Sequence, residues 1–184
     1  MVLLQKLVKF PILKRFIPSL TIRFLKLFKK NRGYFKVKNI EMFLDFLDPI
    51  DRHIILYQKY EDLEFSFLTK HIRNYKINYF LDVGANCGYY SINIALEFPD
   101  IMIFSYEPNN EAYLKFSKSL EKNPSLSKKI SLNKFGLSNK SDKLLMQSKI
   151  KFGYTQTGGG TIINNNKIKN YPTFVGDFKL GDEN

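Results

Sequence analysis

The stretch INYFLDVGANCG, residues 77–88, decides the fold. Its apolar first part predicts a buried β-strand that ends before Gly84. Gly84 and Gly88 predict a turn in which the backbone adopts positive φ angles and lies close to a ligand. Apolar residues at helical spacing follow in residues 89–98, and Pro99 ends that helix. The stretch therefore predicts a strand, a glycine turn and a helix in succession.

The same order of elements continues along the chain. A second apolar strand is predicted over 101–106, a helix over 110–122 and a third strand over 130–135. Two successive βαβ units of this kind form a parallel sheet with right-handed crossovers. The pattern therefore predicts an α/β fold.

Polar residues follow each predicted strand, at residues 82–88, 107–109 and 136–138. The carboxyl ends of parallel strands lie at one edge of the sheet, where ligands of such folds bind. Glu107 follows Gly84 by 23 residues, the position from which a carboxylate accepts the hydroxyls of a ribose. The glycine spacing is not the G-x-G-x-x-G of diphosphate sites. A nucleoside ligand without a diphosphate fits better, and S-adenosylmethionine is such a ligand.

A strongly basic arm, residues 1–38, precedes a nearly neutral domain. The net charge is +12, yet the first acidic residue is Glu41, and eleven basic residues come before it. A short amphipathic helix is predicted after Pro18. Such an arm packs on the domain, lies on an anionic membrane or binds nucleic acid. Nucleic acid is the least favoured partner because the domain carries no basic excess.

The remaining segments carry weaker patterns. Residues 39–76 predict a helical lead-in, with 57–60 as an alternative strand. In the tail, 143–146 and 173–180 predict strands, and the Gly-, Thr- and Asn-rich 153–166 predicts a long loop. No segment has the roughly 20 apolar residues of a membrane-spanning helix, and a single cysteine excludes a disulfide scaffold.

Three motifs carry a resemblance to a known family. They are FLDVGANCGYYSINIA (80–95), SYEPNNEAYLKFSKSLEKN (105–123) and LNKFGLSNKSDKLLM (132–146). These motifs resemble FkbM-type methyltransferases over about residues 61–180. The resemblance implies a Rossmann-like class I methyltransferase fold over 77–184 and S-adenosylmethionine-dependent O-methylation of a hydroxyl, often on a glycan or a secondary metabolite.

The resemblance also implies which residues bind the cofactor. At the glycine turn, the methionine end would contact Asp82, Gly84, Ala85, Asn86 and Gly88. At the end of the second strand, the ribose would contact Glu107, with Pro108 and Asn109 beside it. At the end of the third strand, the adenine would contact Gly136 and Leu137. The run Gly158-Gly159-Gly160-Thr161 resembles a glycine loop of the family.

The sequence departs from that family at its end. The family continues with an Asp-x-Glu-Gly-x-Glu segment and more sheet, whereas residue 184 precedes that segment. We therefore expect a parallel-sheet core that is incomplete at the C-terminus, either the N-terminal two-thirds of such an enzyme or a natural truncation.

No residue is identified as the catalytic base that removes the hydroxyl proton. His53 and His71 are expected to be surface or packing residues, and Tyr89 and Tyr90 are as compatible with core packing as with contact to a cofactor or a sugar. Cys87 is expected to be a small side chain that the turn tolerates rather than a nucleophile. No metal site and no phosphate-binding P-loop are predicted.

Several functions remain open at this point. The first is an O-methyltransferase that acts on a glycan or lipid-linked acceptor in the cytoplasm, peripheral to the inner face of the membrane. The second is a non-catalytic, truncated methyltransferase-like module that the arm docks to a membrane or a partner. The third is a nucleic-acid methyltransferase that uses the arm to bind phosphates.

Overall fold

The computed structural model describes residues 31–137, 143–151, 154–163 and 173–181. Within these ranges the chain forms a mixed α/β fold. The strands are β1 (Arg32–Val37), β2 (Ile40–Asp45), β3 (Tyr79–Val83), β4 (Met102–Tyr106), β5 (Ile130–Asn133), β6 (Phe135–Leu137), β7 (Lys143–Lys151), β8 (Tyr154–Ile163) and β9 (Thr173–Gly181). The helices are α1 (Pro49–Tyr57), α2 (Asp62–Tyr75), α3 (Tyr89–Glu97), α4 (Asn110–Lys122) and α5 (Pro124–Ser127).

The three-stranded parallel sheet that the sequence predicts is present. Its order is β3-β4-β5, with Asp82 opposite Ser105 and Ser105 opposite Leu132. Helix α3 connects β3 to β4, and α4 with α5 connects β4 to β5. The strand, turn and helix order predicted for residues 77–122 is therefore confirmed.

A second sheet contains the tail of the chain, in the order β6-β9-β7-β8. Strand β7 pairs antiparallel with both β8 and β9, and β6 pairs parallel with β9. The loop predicted for 153–166 is wrong over 154–163, which form β8. The glycines there permit close packing, because a Cβ on Gly160 would overlap Cε of Met146.

A β-hairpin replaces the start of the predicted helical lead-in. Strand β2 pairs antiparallel with β1, so the helical prediction for 39–76 is wrong at residues 40–45, and the arm's residues 32–37 are strand. Ile40, Met42 and Leu44 are buried whereas Glu41 is exposed. This two-residue alternation is typical of a half-buried strand. The rest of the lead-in is mostly helical, as α1 and α2.

One hydrophobic core joins the hairpin, the helices and one face of the parallel sheet. Met42 and Phe46 from the lead-in, Ile92 of α3, Ile103 of β4 and Phe116 of α4 are all fully buried in it. The lead-in therefore packs as part of the α/β unit. We expect the burial of each such side chain to contribute about 1.5–3 kcal/mol.

The opposite face of the parallel sheet is open in the described part of the chain. Tyr79, Leu81 and Val83 of β3 point to this face and are 64%, 50% and 60% exposed, and Met102 of β4 is exposed as well. Alternate residues of a strand point to opposite faces, so the same strand is covered on one side only.

The predicted arm helix lies outside the described residues. In the ranges that the structure covers, no helix is long and apolar enough to cross a membrane.

Candidate functional site

A cleft of about 350 Å³ lies at the carboxyl ends of β3 and β4. That volume is within the usual range for small-molecule sites, roughly 300–1,000 Å³. The glycine turn, the end of β4, the segment between α1 and α2, and β8 all contribute to it. Its lining residues are Ile50, Tyr60, Glu61, Asp82, Gly84, Ala85, Asn86, Cys87, Tyr89, Tyr90, Glu107, Pro108, Met146, Thr157, Gly158 and Gly160.

The glycine turn has an unusual backbone conformation. Gly84, Asn86 and Gly88 have φ angles of 84°, 50° and 82°. The N–H of Gly84 donates to the carbonyl of Tyr106 over 2.8 Å, which ties the turn to β4. At Gly88 a Cβ would overlap the ring of Phe116, so this position requires glycine for space as well as for conformation.

Glu107 holds the turn from the end of β4. Its Oε2 accepts from the N–H of Asn86 over 2.6 Å, and its Oε1 accepts from the N–H of Asn109 over 2.7 Å. Burial raises the pKa of Glu107, while these two hydrogen bonds oppose the rise. A carboxylate has about four acceptor positions. Glu107 therefore retains capacity for ligand hydroxyls.

Asp82 faces the same cleft from the end of β3. Its Oδ2 accepts from the hydroxyl of Ser91 over 2.5 Å and from the N–H of Ser91 over 3.2 Å. The Ser91 hydroxyl also lies 2.7 Å from that of Ser105 on β4. Burial raises the pKa of Asp82, and both bonds from Ser91 oppose the rise. The carboxylate is thus fixed by the first turn of α3.

A buried ionic cluster lies behind the cleft. Lys115 of α4 donates to Oδ2 of Asp51 over 2.6 Å and lies 3.7 Å from Oδ2 of Asp48. The three side chains are 5% exposed or less. Asp48 also caps α1, since its Oδ1 accepts from the N–H of Ile50 over 2.9 Å. The cluster joins α1 to α4.

Burial and charge act in opposite directions within this cluster. Burial raises the pKa of Asp51 to about 6, with Asp48 adding to the rise and Lys115 opposing it. At Lys115 burial lowers the pKa, but the two carboxylates outweigh burial and raise it. For Asp48, the charge of Lys115 and the bonds from Thr157 outweigh burial and lower the pKa. Within the described part of the chain, Oδ1 of Asp51 is buried without a hydrogen-bond partner.

Thr157 connects this cluster to the glycine turn. Its N–H donates to Oδ2 of Asp48 over 3.1 Å, and Lys115 donates to its hydroxyl oxygen over 3.2 Å. The hydroxyl lies 2.7 Å from Oδ2 of Asp48 and 2.8 Å from Oδ1 of Asn86, and its single proton is donated to one of them at a time. These contacts hold β8 against the turn.

The glycines of β8 form a wall of the cleft. A Cβ on Gly158 would overlap Cδ1 of Ile50, so a side chain there would displace Ile50. The sequence singled out the 158–161 run but did not predict the roles of Thr157, Lys115 or Asp48. The only sequence signal was the glycine run itself, since nothing local marks these partners.

Elsewhere in the cleft, the phenol groups of Tyr60 and Tyr90 lie near the carboxylate of Glu61. The hydroxyl of Tyr90 donates to Oε2 of Glu61 over 2.8 Å. Burial and a hydrogen bond to Glu61 raise the pKa of Tyr60 to about 12. Burial, followed by the same carboxylate, also raises the pKa of Tyr90. Both phenols are therefore protonated donors at neutral pH.

The structure brings most of the predicted cofactor residues together. The ones that line the cleft are Asp82, Gly84, Ala85, Asn86, Glu107 and Pro108. Gly88 and Asn109 instead lie behind it as the N-caps of α3 and α4. Gly136 and Leu137 lie on β6 in the second sheet, outside the lining set, so their contact with adenine stays a prediction.

The structure also shows where the residues considered for catalysis in the sequence analysis lie. Cys87 lines the cleft but is buried, and burial raises the pKa of its thiol well above the usual range, which disfavours a thiolate nucleophile. The ring of His53 contacts that of Tyr57 and the ring of His71 contacts that of Phe67, both at tilted angles, and neither histidine is among the described residues that line the cleft.

Three carboxylates give the described part of the cleft its charge. Glu61, Asp82 and Glu107 line it, and no lysine or arginine does so among the described lining residues. Such a lining attracts a cationic ligand with hydroxyl groups and repels phosphates.

No protein-family model matches the chain, and no curated protein matches it.

Proposed function

We propose that the chain is an S-adenosylmethionine-dependent methyltransferase of the class I, Rossmann-like type, similar to the FkbM-type enzymes, that methylates a hydroxyl of a glycan or related acceptor. The acidic cleft at the carboxyl end of a parallel sheet is the observation that carries this proposal. S-adenosylmethionine carries a sulfonium and an ammonium, both cationic, whereas dinucleotides carry phosphates. The lining charge favours the former.

The residues present fit this cofactor. Glu107 has acceptor positions left for the two ribose hydroxyls after binding two backbone N–H groups. Asp82 supplies a second fixed carboxylate for the ammonium group of the amino-acid end. The backbone of Gly84 is open, because a Cβ there would meet no atom of the described residues within 4 Å, and this lets a ligand approach closely.

The cofactor supplies an activated methyl group when it is bound, and the protein supplies position. Glu107 and Asp82 orient it, because Asn86, Asn109 and Ser91 hold both carboxylates in place. Gly158 of β8 bounds the cleft on one side. Alignment of this kind converts an encounter into a positioned reaction.

The location of the protein forms part of this proposal. We place it in the cytoplasm, with residues 1–30 contacting the anionic inner face of the membrane, because that segment contains basic and apolar residues and no acidic ones. A membrane location would bring the enzyme to a lipid-linked acceptor.

Calorimetry with the full 184-residue chain tests the proposal. We expect S-adenosylmethionine and S-adenosylhomocysteine to bind, and NAD to bind at least tenfold more weakly. Asp82→Asn and Glu107→Gln should each lower the affinity for S-adenosylmethionine at least tenfold. Asp100→Asn, which removes an exposed carboxylate from the loop before β4, is the matched control and should bind as the wild type does. Tighter binding of NAD than of S-adenosylmethionine would contradict the proposal.

A further inference from the structure

Glu61 occupies the N-cap position of α2 without capping it. Its backbone is left-handed, with φ 49° and ψ 54°, and its side chain makes no hydrogen bond to the first turn of the helix. A non-glycine residue in this region is strained, because its Cβ lies too close to the following carbonyl oxygen. Because the side chain of Glu61 does not cap the helix, capping does not explain its left-handed backbone. Strained backbone conformations of this kind cluster at functional sites.

The carboxylate of Glu61 is turned toward the cleft instead. It lines the cleft together with Tyr60, and its Oε2 accepts from the hydroxyl of Tyr90 over 2.8 Å. This donor occupies one of about four acceptor positions of a carboxylate. The remaining positions are available to a donor on a ligand.

Aromatic rings make the wall around this carboxylate. Tyr60, Tyr89 and Tyr90 line the cleft; the ring centroids of Tyr60 and Tyr89 are 6.1 Å apart, and those of Tyr89 and Tyr90 are 6.2 Å apart. Tyrosine combines an apolar ring with a polar tip. A wall of such rings beside one carboxylate suits a ligand with apolar C–H faces and hydroxyl edges, which is the chemistry of a neutral sugar ring.

We infer that Glu61, held by Tyr90, accepts the hydroxyl proton of the methyl acceptor, and that the surrounding rings bind a neutral, sugar-like acceptor. This inference rests on the proposed function. The acceptor oxygen transfers its proton to Glu61 as it forms a bond to the methyl carbon. The carbon–sulfur bond breaks, and the sulfur keeps that electron pair as a neutral thioether. The negative charge of Glu61 and the positive charge of the sulfonium are thereby both removed.

The binding test uses the full chain saturated with S-adenosylhomocysteine and methyl glycosides of neutral hexoses and 6-deoxyhexoses as probes. In saturation-transfer NMR, we expect at least one glycoside to bind the wild type. Tyr60→Ala should weaken that glycoside at least fivefold without changing the affinity for S-adenosylhomocysteine more than threefold. Binding of S-adenosylhomocysteine with no glycoside signal would overturn the acceptor subsite and leave the proposed function standing. Failure to bind S-adenosylhomocysteine would overturn both.

The catalytic test follows transfer of a labelled methyl group to the bound glycoside. We expect Glu61→Gln to lower kcat at least 100-fold, since a positioned base contributes 10²–10⁴-fold, while KM and the NMR signal stay near those of the wild type. Glu64→Gln removes an exposed carboxylate from the first turn of the same helix and should react as the wild type does. A wild-type kcat in Glu61→Gln, or no transfer by the wild type, would refute the role of Glu61.

Discussion

Replacement of Lys115 by methionine would test the buried ionic cluster most directly. The variant keeps the length of the side chain but leaves Asp48 and Asp51 buried without their cation. At an effective dielectric constant of about 20, charges 3–4 Å apart attract by about 4–6 kcal/mol. Part of the lost attraction is offset because the lysine no longer has to be desolvated. We therefore expect the free energy of unfolding to fall by about 3–5 kcal/mol at pH 8.

The loss in the free energy of unfolding caused by Lys115→Met should depend on pH. Burial already raises the pKa of Asp51 to about 6; without Lys115 that pKa rises further, and the pKa of Asp48, which Lys115 lowers, rises as well. An acid whose folded pKa is raised stabilises the fold below its unfolded pKa, and that stability is lost as the pH rises through the folded pKa. The loss caused by Lys115→Met should therefore be at least about 1 kcal/mol smaller at pH 5 than at pH 8.

Urea unfolding followed by far-ultraviolet circular dichroism measures both quantities, since the chain has no tryptophan. Lys118→Met is the matched control on the exposed face of α4. Its ammonium lies 4.3 Å from the ring centroid of Phe43, an interaction of about 0.5–1 kcal/mol. A loss below 1 kcal/mol for Lys115→Met, or a loss independent of pH, would refute the reasoning.

Two glycines and the basic arm give three further predictions. Gly88→Ala should cost about 2–4 kcal/mol in urea unfolding, because it combines a positive φ with a contact on Phe116; a loss below 0.5 kcal/mol would contradict this. Gly158→Val should lower the affinity for S-adenosylmethionine at least tenfold in calorimetry, because the new side chain displaces Ile50 into the cleft. An unchanged affinity would show that β8 is not part of the binding site. Deletion of residues 1–30 should abolish sedimentation with vesicles containing 30% phosphatidylserine, and sedimentation equal to that of the full chain would exclude the arm as the membrane contact.

The parallel sheet was predictable because its signals are local. Each strand of 77–106 is a short apolar run bounded by glycine or proline, and the side chains at its end follow directly in the sequence. The glycine turn and Glu107 could be found for the same reason. The hairpin was missed because the spacing of Leu44 and Leu47 also fits a helix, and pairing with β1 decided the outcome.

The rest of the site depends on contacts that are distant in the sequence. Thr157 and Asp48 are 109 positions apart, and Thr157 and Asn86 are 71 apart. No spacing rule joins such residues, since only the packing of β8 against α1 brings them together. Glu61 was missed for a different reason, because a glutamate before a helix reads as a helix-start residue rather than as part of a cleft.

The open face of the parallel sheet determines how the purified chain should behave in concentrated solution. Tyr79, Leu81 and Val83 present an apolar surface on β3, and β4 is the only strand paired with β3 in the described part of the chain. Such a surface favours self-association, which the net charge of +12 opposes through repulsion between molecules. Added salt screens that repulsion. Light scattering should therefore increase with ionic strength, and dilute, low-salt buffers should keep the molecules apart.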